Sequence, residues 1–465
     1  MTHTPEGDSG LDRKTTGQAW LIVRAFAEHE ILVRPVFGRH GLEFMYEPGV
    51  IMVRDEYLPQ VEAIVGIPGD RPPTEPDADN LAAAADERER LRRVIRGVVL
   101  LSLAGSRFSG DDEPDRPGTL AALAEIDAIL GTGAATPNHV LTVSPNGPAI
   151  VHTCPATEPA EVPDGIEPRP GRCPGHDGEG VRIYVADTGL LAGSAEHHGW
   201  LHGVEGDLDA LPNPAAIPPY TGHGTFVAGV LRCMAPGASV YVGDVFSIAG
   251  SALESQAVPK LSTALQHGFD LFNLTIATAT RKNLPLIAFD AWRHEVSQYG
   301  GVACVVAAGN SGVSQPFWPA AFPDMVSVGA LAADERTRAS FSNHGGWVDV
   351  YAPGRDLINA YARGTYICQD FPYEGQQREF FGMCNWSGTS FSTPLVTGLI
   401  AARMSRTGEN GRQAAAALLS LARAQAIPGV GAILRACQDG GTCPCGGRCS
   451  AGDRCGCGSG CRCQG

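Results

Sequence analysis

Short apolar runs that end in turn-forming residues divide the chain into two patterns. Between Ala19 and Asn146, "GVIMVRD" (49–55), "GVVLLSLAG" (97–105) and "NHVLTVSP" (138–145) read as strands. In the same stretch "NLAAAADERERLRRVIR" (80–96) and "TLAALAEIDAIL" (119–130) repeat apolar residues every three to four positions and predict helices. Residues 18–146 are therefore expected to form a small α+β domain of ordinary single-domain size. After Gly180 the texture changes. "VRIYVAD" (181–187), "FDLFNLTI" (269–276), "GVACVVAAGN" (301–310), "DMVSVGAL" (324–331) and "WVDVYAPG" (347–354) are nearly continuous apolar runs. They alternate with helical patterns such as "GTFVAGVLRCM" (224–234) and "SALESQAVPKLSTALQHG" (251–268). Apolar strands interleaved with helices predict an α/β fold, a parallel sheet covered on both faces. Reactive groups in such sheets gather beyond the carboxyl ends of the strands.

Three stretches lack this periodicity. Residues 1–17 are polar and predicted disordered. Residues 147–179 hold six prolines between His152 and Gly180 and read as an extended linker. From residue 431 the chain becomes a tail in which 437–465 hold eight cysteines and nine glycines, too little apolar surface to build a core.

Composition narrows the function classes. At 465 residues the chain suits two or three domains, and 43% hydrophobic residues supply ample core. A formal charge of −15 argues against nucleic acid, which needs clustered Lys and Arg. No apolar run approaches the length of a membrane span. "MTHTPEGDSGLDRKTTGQ" has no apolar segment behind its basic residues, so no secretory signal is readable and the expected location is the cytoplasm, with reduced thiols.

Candidate chemistry lies in the second half. "VADTGL" puts Asp187 at the end of the first strand of the parallel sheet, and "TGHGTFVAGVL" puts His223 at the start of a helix between two glycines. "SGTSFSTPLVTGLIAAR" puts Ser390 at the start of another helix, with Pro394 expected in its first turn, where a missing N–H costs nothing. A serine there has the positive end of the helix dipole and a free backbone N–H, as an acyl-transfer nucleophile needs. An imidazole can take the hydroxyl proton, and a carboxylate can hold the imidazole's tautomer. "AAGNSG" offers Asn310 at a strand end as a second oxyanion donor.

The order Asp-Thr-Gly, Gly-His-Gly-Thr, Ala-Gly-Asn and Gly-Thr-Ser-x-x-x-Pro resembles the subtilisin family of serine endopeptidases, over roughly residues 180–430. "WPAAFPDMVSVGA" and "ASFSNHGGWVDVYAPG" extend the likeness. The resemblance implies Asp187, His223 and Ser390 as a catalytic triad, Asn310 as oxyanion donor, no cofactor for the chemistry, and a protein or peptide substrate bound as an added β-strand. Many relatives bind calcium, but no Asp/Glu cluster with calcium-loop spacing is visible here. Two departures stand out. Where relatives carry Ser-Leu-Gly this chain has Thr275, Ile276 and Ala277. The segment "YARGTYICQDFPYEGQQREFFGMC" (361–384), bracketed by Cys368 and Cys384, is long and aromatic; it walls the cleft or forms a surface hairpin.

For the flanking regions alternatives stay open. The N-terminal domain occupies the position of a propeptide-like segment that inhibits the protease intramolecularly and is cut away; the competing reading is a permanent recognition domain. His152-x-Cys154 and Cys173-x-x-His176 have zinc-ligand types, or Cys154 and Cys173 form a disulfide, or all four are idle. In the tail Cys443-x-Cys445, Cys455-x-Cys457 and Cys461-x-Cys463, with Cys437 and Cys449, read as thiolate ligands for zinc or another soft metal, as a disulfide knot, or as an unstructured reduced tail. Reduced, chelator-free protein is expected to carry zinc, and a chain lacking 437–465 is expected to lose it while still hydrolysing peptide. Elemental analysis of the two proteins checks this, since equal metal in both discards the cluster.

Overall fold

A computed structural model describes residues 13–38, 41–66, 91–112, 116, 118–143, 158–171, 177–369 and 373–436. The eight tail cysteines and His152, Cys154, Cys173 and His176 lie outside these residues.

The N-terminal region runs α1 (Arg13–Glu28), β1 (Arg34–Gly38), β2 (Gly41–Arg54), α2 (Leu58–Val65), β3 (Leu91–Ile95), β4 (Val98–Ser102), α3 (Thr119–Leu130) and β5 (Ala135–Thr142). Two expectations are corrected here. Helix α1 begins at Arg13, inside the stretch read as disordered. Residues 91–95, read as the end of a helix, are instead strand β3, paired antiparallel with β4 around the turn at Gly97. The charge-rich run does have helical spacing. However, Val94 and Ile95 are buried against the rest of the sheet, and tertiary burial overrides local propensity.

Strands β2 and β4 are apolar on both faces, so both faces must be covered. Ile51, Val53, Val99 and Leu101 pack with Ala122, Leu123 and Ile126 of α3 in the domain's own core. Met52, Val98 and Leu100 point the other way, into a core shared with the second domain.

That second domain is built on a parallel sheet. Its strands are β6 (Arg182–Asp187), β7 (Ser239–Asp244), β9 (Leu271–Leu274), β10 (Ala303–Ala307), β11 (Val326–Leu331) and β12 (Val350–Pro353), in the order β12-β11-β10-β9-β6-β7, with the two-residue strand Glu205–Gly206 at the edge beyond β7. Helices α4 (His223–Met234) and α7 (Thr389–Thr407) pack in the core on one face of the sheet, which also takes in α8 (Gly411–Ala424). Helices α5 (Glu254–Leu265) and α6 (Ile287–Gln298) cover the other face. The expected doubly covered parallel sheet is present.

The two domains share a sheet as well as a core. The three residues before α5, read as part of a helix, form strand β8 (Ser251–Leu253), because they pair antiparallel with Val140, Leu141 and Thr142 of β5. The first domain's sheet thus continues into the second. Met52, Val98 and Leu100 lie in one apolar cluster with Val258 and Leu261 of α5 and Phe289 and Trp292 of α6. Polar contacts fix the register: Asn138 Nδ2 donates to Ser255 Oγ (2.8 Å), Ser255 N–H donates to Asn138 Oδ1 (3.0 Å), and Arg54 pairs with Asp290 at 2.7 Å. Burial alone would raise Asp290, but its hydrogen bonds from Arg54 and Arg293 outweigh that and hold it below the usual carboxylate range.

The linker is less free than its composition implies. Residues 158–171 lie along the hairpin formed by β13 (Leu357–Ile367) and β14 (Gln377–Trp386): Ala160 N–H donates to Asn385 O and Arg169 N–H to Ile358 O, both at 2.8 Å. Glu158 is buried and accepts from the Tyr366 hydroxyl at 2.9 Å. At the other end the peptidase-like domain extends to Ala436, past the expected boundary at 430, since Tyr351 exchanges backbone hydrogen bonds with Ala432 and Leu434.

Candidate active site

The four residues singled out from the sequence come together at the carboxyl edge of the parallel sheet. Asp187 ends β6, which lies between β7 and β9, and is fully buried. Its Oδ1 lies 2.7 Å from His223 Nδ1 and accepts the Thr188 N–H at 2.8 Å. Its Oδ2 accepts the Thr275 hydroxyl, which also donates to Ala186 O at 3.1 Å. A carboxylate facing Nδ1 fixes the tautomer with the proton on Nδ1 and leaves Nε2 as the base. The sequence reading had Thr275 only as a departure from Ser-Leu-Gly. Its role in steadying Asp187 is visible only once β9 lies beside β6, although a hydroxyl residue at that strand end was the available signal.

His223 opens α4. Gly222, the residue before the helix, has φ +84°, a left-handed conformation that favours glycine. A Cβ on Gly224 would collide with the carbonyl oxygen of Gly189 and stand 3.2 Å from Asp187 Oδ1. Gly224 thus serves close approach to the Asp187 strand, and Gly222 serves the turn before the helix. The described residues of 361–384, left between two readings, belong to the hairpin of β13 and β14, whose last residue packs behind the imidazole. The Trp386 ring meets the His223 ring edge-on at 5.3 Å, and Phe391 lies 5.1 Å away. Its distal part carries exposed Tyr373 and Phe381.

Ser390 lies in the first turn of α7 and is buried. The helix starts at Thr389, earlier than expected, so Pro394 falls beyond the first turn and cannot donate to the Ser390 carbonyl four residues back. Asn310 is oriented by the same turn: its Oδ1 accepts the Thr389 N–H (2.8 Å) and hydroxyl (2.9 Å). With the amide oxygen engaged, Nδ2 is left for a ligand; the network assigns this orientation. It stands near Gly388, whose added Cβ would lie 3.5 Å from it.

The cleft already holds a strand of this chain. Residues 140–142 run antiparallel to 251–253 on one side, Thr142 pairs with Ala277 on the other, and Val143 N–H donates to Gly250 O at 2.9 Å. At the end of that strand the Ser390 hydroxyl donates to the Val143 carbonyl oxygen at 2.7 Å. Ala277 keeps its backbone N–H in the pairing, at 3.3 Å from Thr142 O, so its methyl group does not close the edge. Among the described residues no group of three or more His, Cys, Asp or Glu could hold a metal ion.

The sequence profile of the Subtilase family matches residues 178–433. The chain is 28% identical over 236 residues to M-protease of Shouchella clausii, across 49% of this chain and 54% of that protein. It is 28% identical over 236 residues to Subtilisin Savinase of Lederbergia lenta, across 49% of this chain and 77% of that protein. Subtilisin-like protease 2 of Trichophyton tonsurans is 32% identical over 243 residues, across 49% of this chain and 51% of that protein. The chain therefore spans about half the length of two of these three relatives. Among solved structures, a cold adapted subtilisin-like serine proteinase is similar at 27% identity and a TM-score of 0.42, covering 56% of this chain and 90% of that one.

Proposed function

Because the chain belongs to the subtilase family, we propose that it is a serine endopeptidase whose own N-terminal domain occupies the substrate cleft. The carrying observation is the Ser390 hydroxyl, 2.7 Å from a peptide carbonyl oxygen at the end of an extended, doubly paired strand. In this reading a substrate replaces residues 140–143 between the edges at 250–253 and 277. His223 Nε2 takes the Ser390 proton as Oγ attacks the scissile carbonyl carbon. Asn310 Nδ2 and the Ser390 N–H hold the oxyanion, and Asp187 stabilises the imidazolium. The imidazolium returns the proton to the leaving amine, and water then releases the acyl group from Ser390 by the same relay.

The tether strengthens the inhibition. A linked domain faces its site at an effective concentration on the order of millimolar. Even modest intrinsic affinity then keeps the cleft filled, and the shared apolar core and sheet supply more than that.

Two outcomes test the reading. Val143→Pro deletes the N–H that bonds Gly250 O, so fluorophosphonate labelling of Ser390 is expected to become faster than in wild type. The bonds at 158–171 hold that segment to the hairpin, so self-cleavage is expected within 144–157 rather than throughout 147–180. Intact mass is then expected to show clipped wild type beside full-length Ser390→Ala. Wild type that stays intact and fully active on peptides would favour the recognition-domain reading.

A further inference from the structure

Two backbone N–H groups flank His223, and the relay described above uses neither. Gly222 N–H donates to Asp209 Oδ2 at 2.6 Å. Gly224 N–H donates to Thr188 Oγ1 at 3.1 Å, and that hydroxyl donates to the same Asp209 oxygen at 3.0 Å. One carboxylate therefore holds both sides of the imidazole's turn, one directly and one through a hydroxyl. Thr188 also gives its N–H to Asp187, so the three groups share one frame.

The arrangement has a physical reason. The first N–H groups of a helix lack intrahelical partners, and an N-cap side chain ordinarily serves them. Gly222 has no side chain to offer. The acceptor must come from elsewhere in the fold, and a carboxylate at the positive end of α4 is favoured over a neutral one. Asp209 supplies it from the short strand Leu208–Asp209, paired parallel with Leu190–Leu191, and is buried. Nothing in its sequence context, "VEGDLDAL", marks it.

We infer that Asp209 is a positioning residue for the general base, fixing the first turn of α4 so that His223 stands between Asp187 and Ser390. The inference rests on the peptidase reading above.

The surroundings make its charge sensitive to pH. Asp187 lies behind it and Asp244 beside it on β7; Arg24, Glu28 and His29 of α1 line the cavity that it faces, with the Tyr220 ring. The Tyr361 hydroxyl lies in its field from β13. Burial raises Asp209 most, the bonds from Gly222 and Thr188 oppose it, and the charges of Asp187 and Asp244 add to the rise, which reaches about 7. As pH falls through that value the carboxylate gains a proton and its two charge-assisted bonds weaken. Protonation of Asp209 thereby lowers activity on the acid side.

The test compares full-length wild type, Asp209→Ala and Asp209→Asn on one peptide substrate, with fluorophosphonate titration giving the number of open sites. Asp209→Ala is expected to lower kcat per open site by about 10- to 10²-fold with KM unchanged, the scale of a small misplacement of a catalytic group. Asp209→Asn keeps an acceptor oxygen without the charge, so it is expected to show the intermediate kcat of wild type protonated at Asp209, between wild type and Asp209→Ala, with an acid limb one proton less steep than that of wild type. An unchanged kcat in Asp209→Ala, a loss confined to KM, or an Asp209→Asn limb identical to wild type overturns the inference. Should the alanine variant not fold, the asparagine limb decides. The His223 Nδ1 proton resonance is read in the same samples and does not depend on hydrolysis. It is expected to shift in Asp209→Ala and by less in Asp209→Asn. A wild type whose open sites are titrated by fluorophosphonate and which still hydrolyses nothing, while this shift occurs, would refute the peptidase reading and leave the positioning role standing.

Discussion

Ser390→Ala is expected to lower peptide turnover by about 10⁶-fold and to abolish fluorophosphonate labelling, the loss of magnitude measured when a subtilisin's nucleophile is removed. The size follows from the chemistry. Without the hydroxyl no acyl-enzyme forms, and what remains is the oxyanion hole acting on direct attack by water. The variant should keep its fold, since alanine fills the first turn of α7 without strain and loses only the hydrogen bond to Val143 O. A net loss of about 1 kcal/mol is expected from that bond, too little to unfold a domain of this size. Labelling that persists in Ser390→Ala would mean that another residue is the nucleophile.

Asn310→Ala is expected to cost about 10²–10³-fold in kcat with little change in KM, again the scale known from a subtilisin. The amide acts when negative charge develops on the substrate oxygen, so ground-state binding along 250–253 and 277 should be spared. The substitution also unties Asn310 Oδ1 from the Thr389 N–H and hydroxyl, at 2.8 and 2.9 Å. Thr389 opens the nucleophile's helix, so part of the loss could come from a shifted Ser390. A crystal structure of the variant separates the two: an unmoved Ser390 leaves the whole loss to the missing oxyanion donor, whereas a displaced Ser390 assigns part of it to positioning. A loss carried only by KM would remove Asn310 from the oxyanion hole.

Much of the site was legible because each functional residue sits in a motif whose local physics is self-contained. Asp187 follows an apolar strand, His223 needs glycine neighbours, Ser390 needs a helix N-terminus, and these demands leave marks within a few residues. Asp209, Thr188 and Thr275 act through partners 13, 36 and 88 residues away, at Gly222, Gly224 and Asp187. No local pattern records such partnerships. The misread segments share a cause. Residues 91–95 and 251–253 have helical spacing, and each is a strand because a strand pairs with it, β4 across the turn at Gly97 for the first and β5 of the other domain for the second.

The sequence by itself determined the family and the parallel sheet and singled out the four candidate residues, because periodicity and motif order are properties of neighbours along the chain. Only the tertiary structure decided that the first domain lies in the cleft. Its strands β2 and β4 are apolar on both faces, which demands a cover without naming it; α5 and α6 supply that cover, and β5 is thereby delivered to the edge at 251–253. The carbonyl at Ser390 follows from that packing, and the carboxylate behind His223 from the pairing of Leu208–Asp209 with Leu190–Leu191, since hydrogen bonds across the fold depend on where the elements meet and not on their order in the chain.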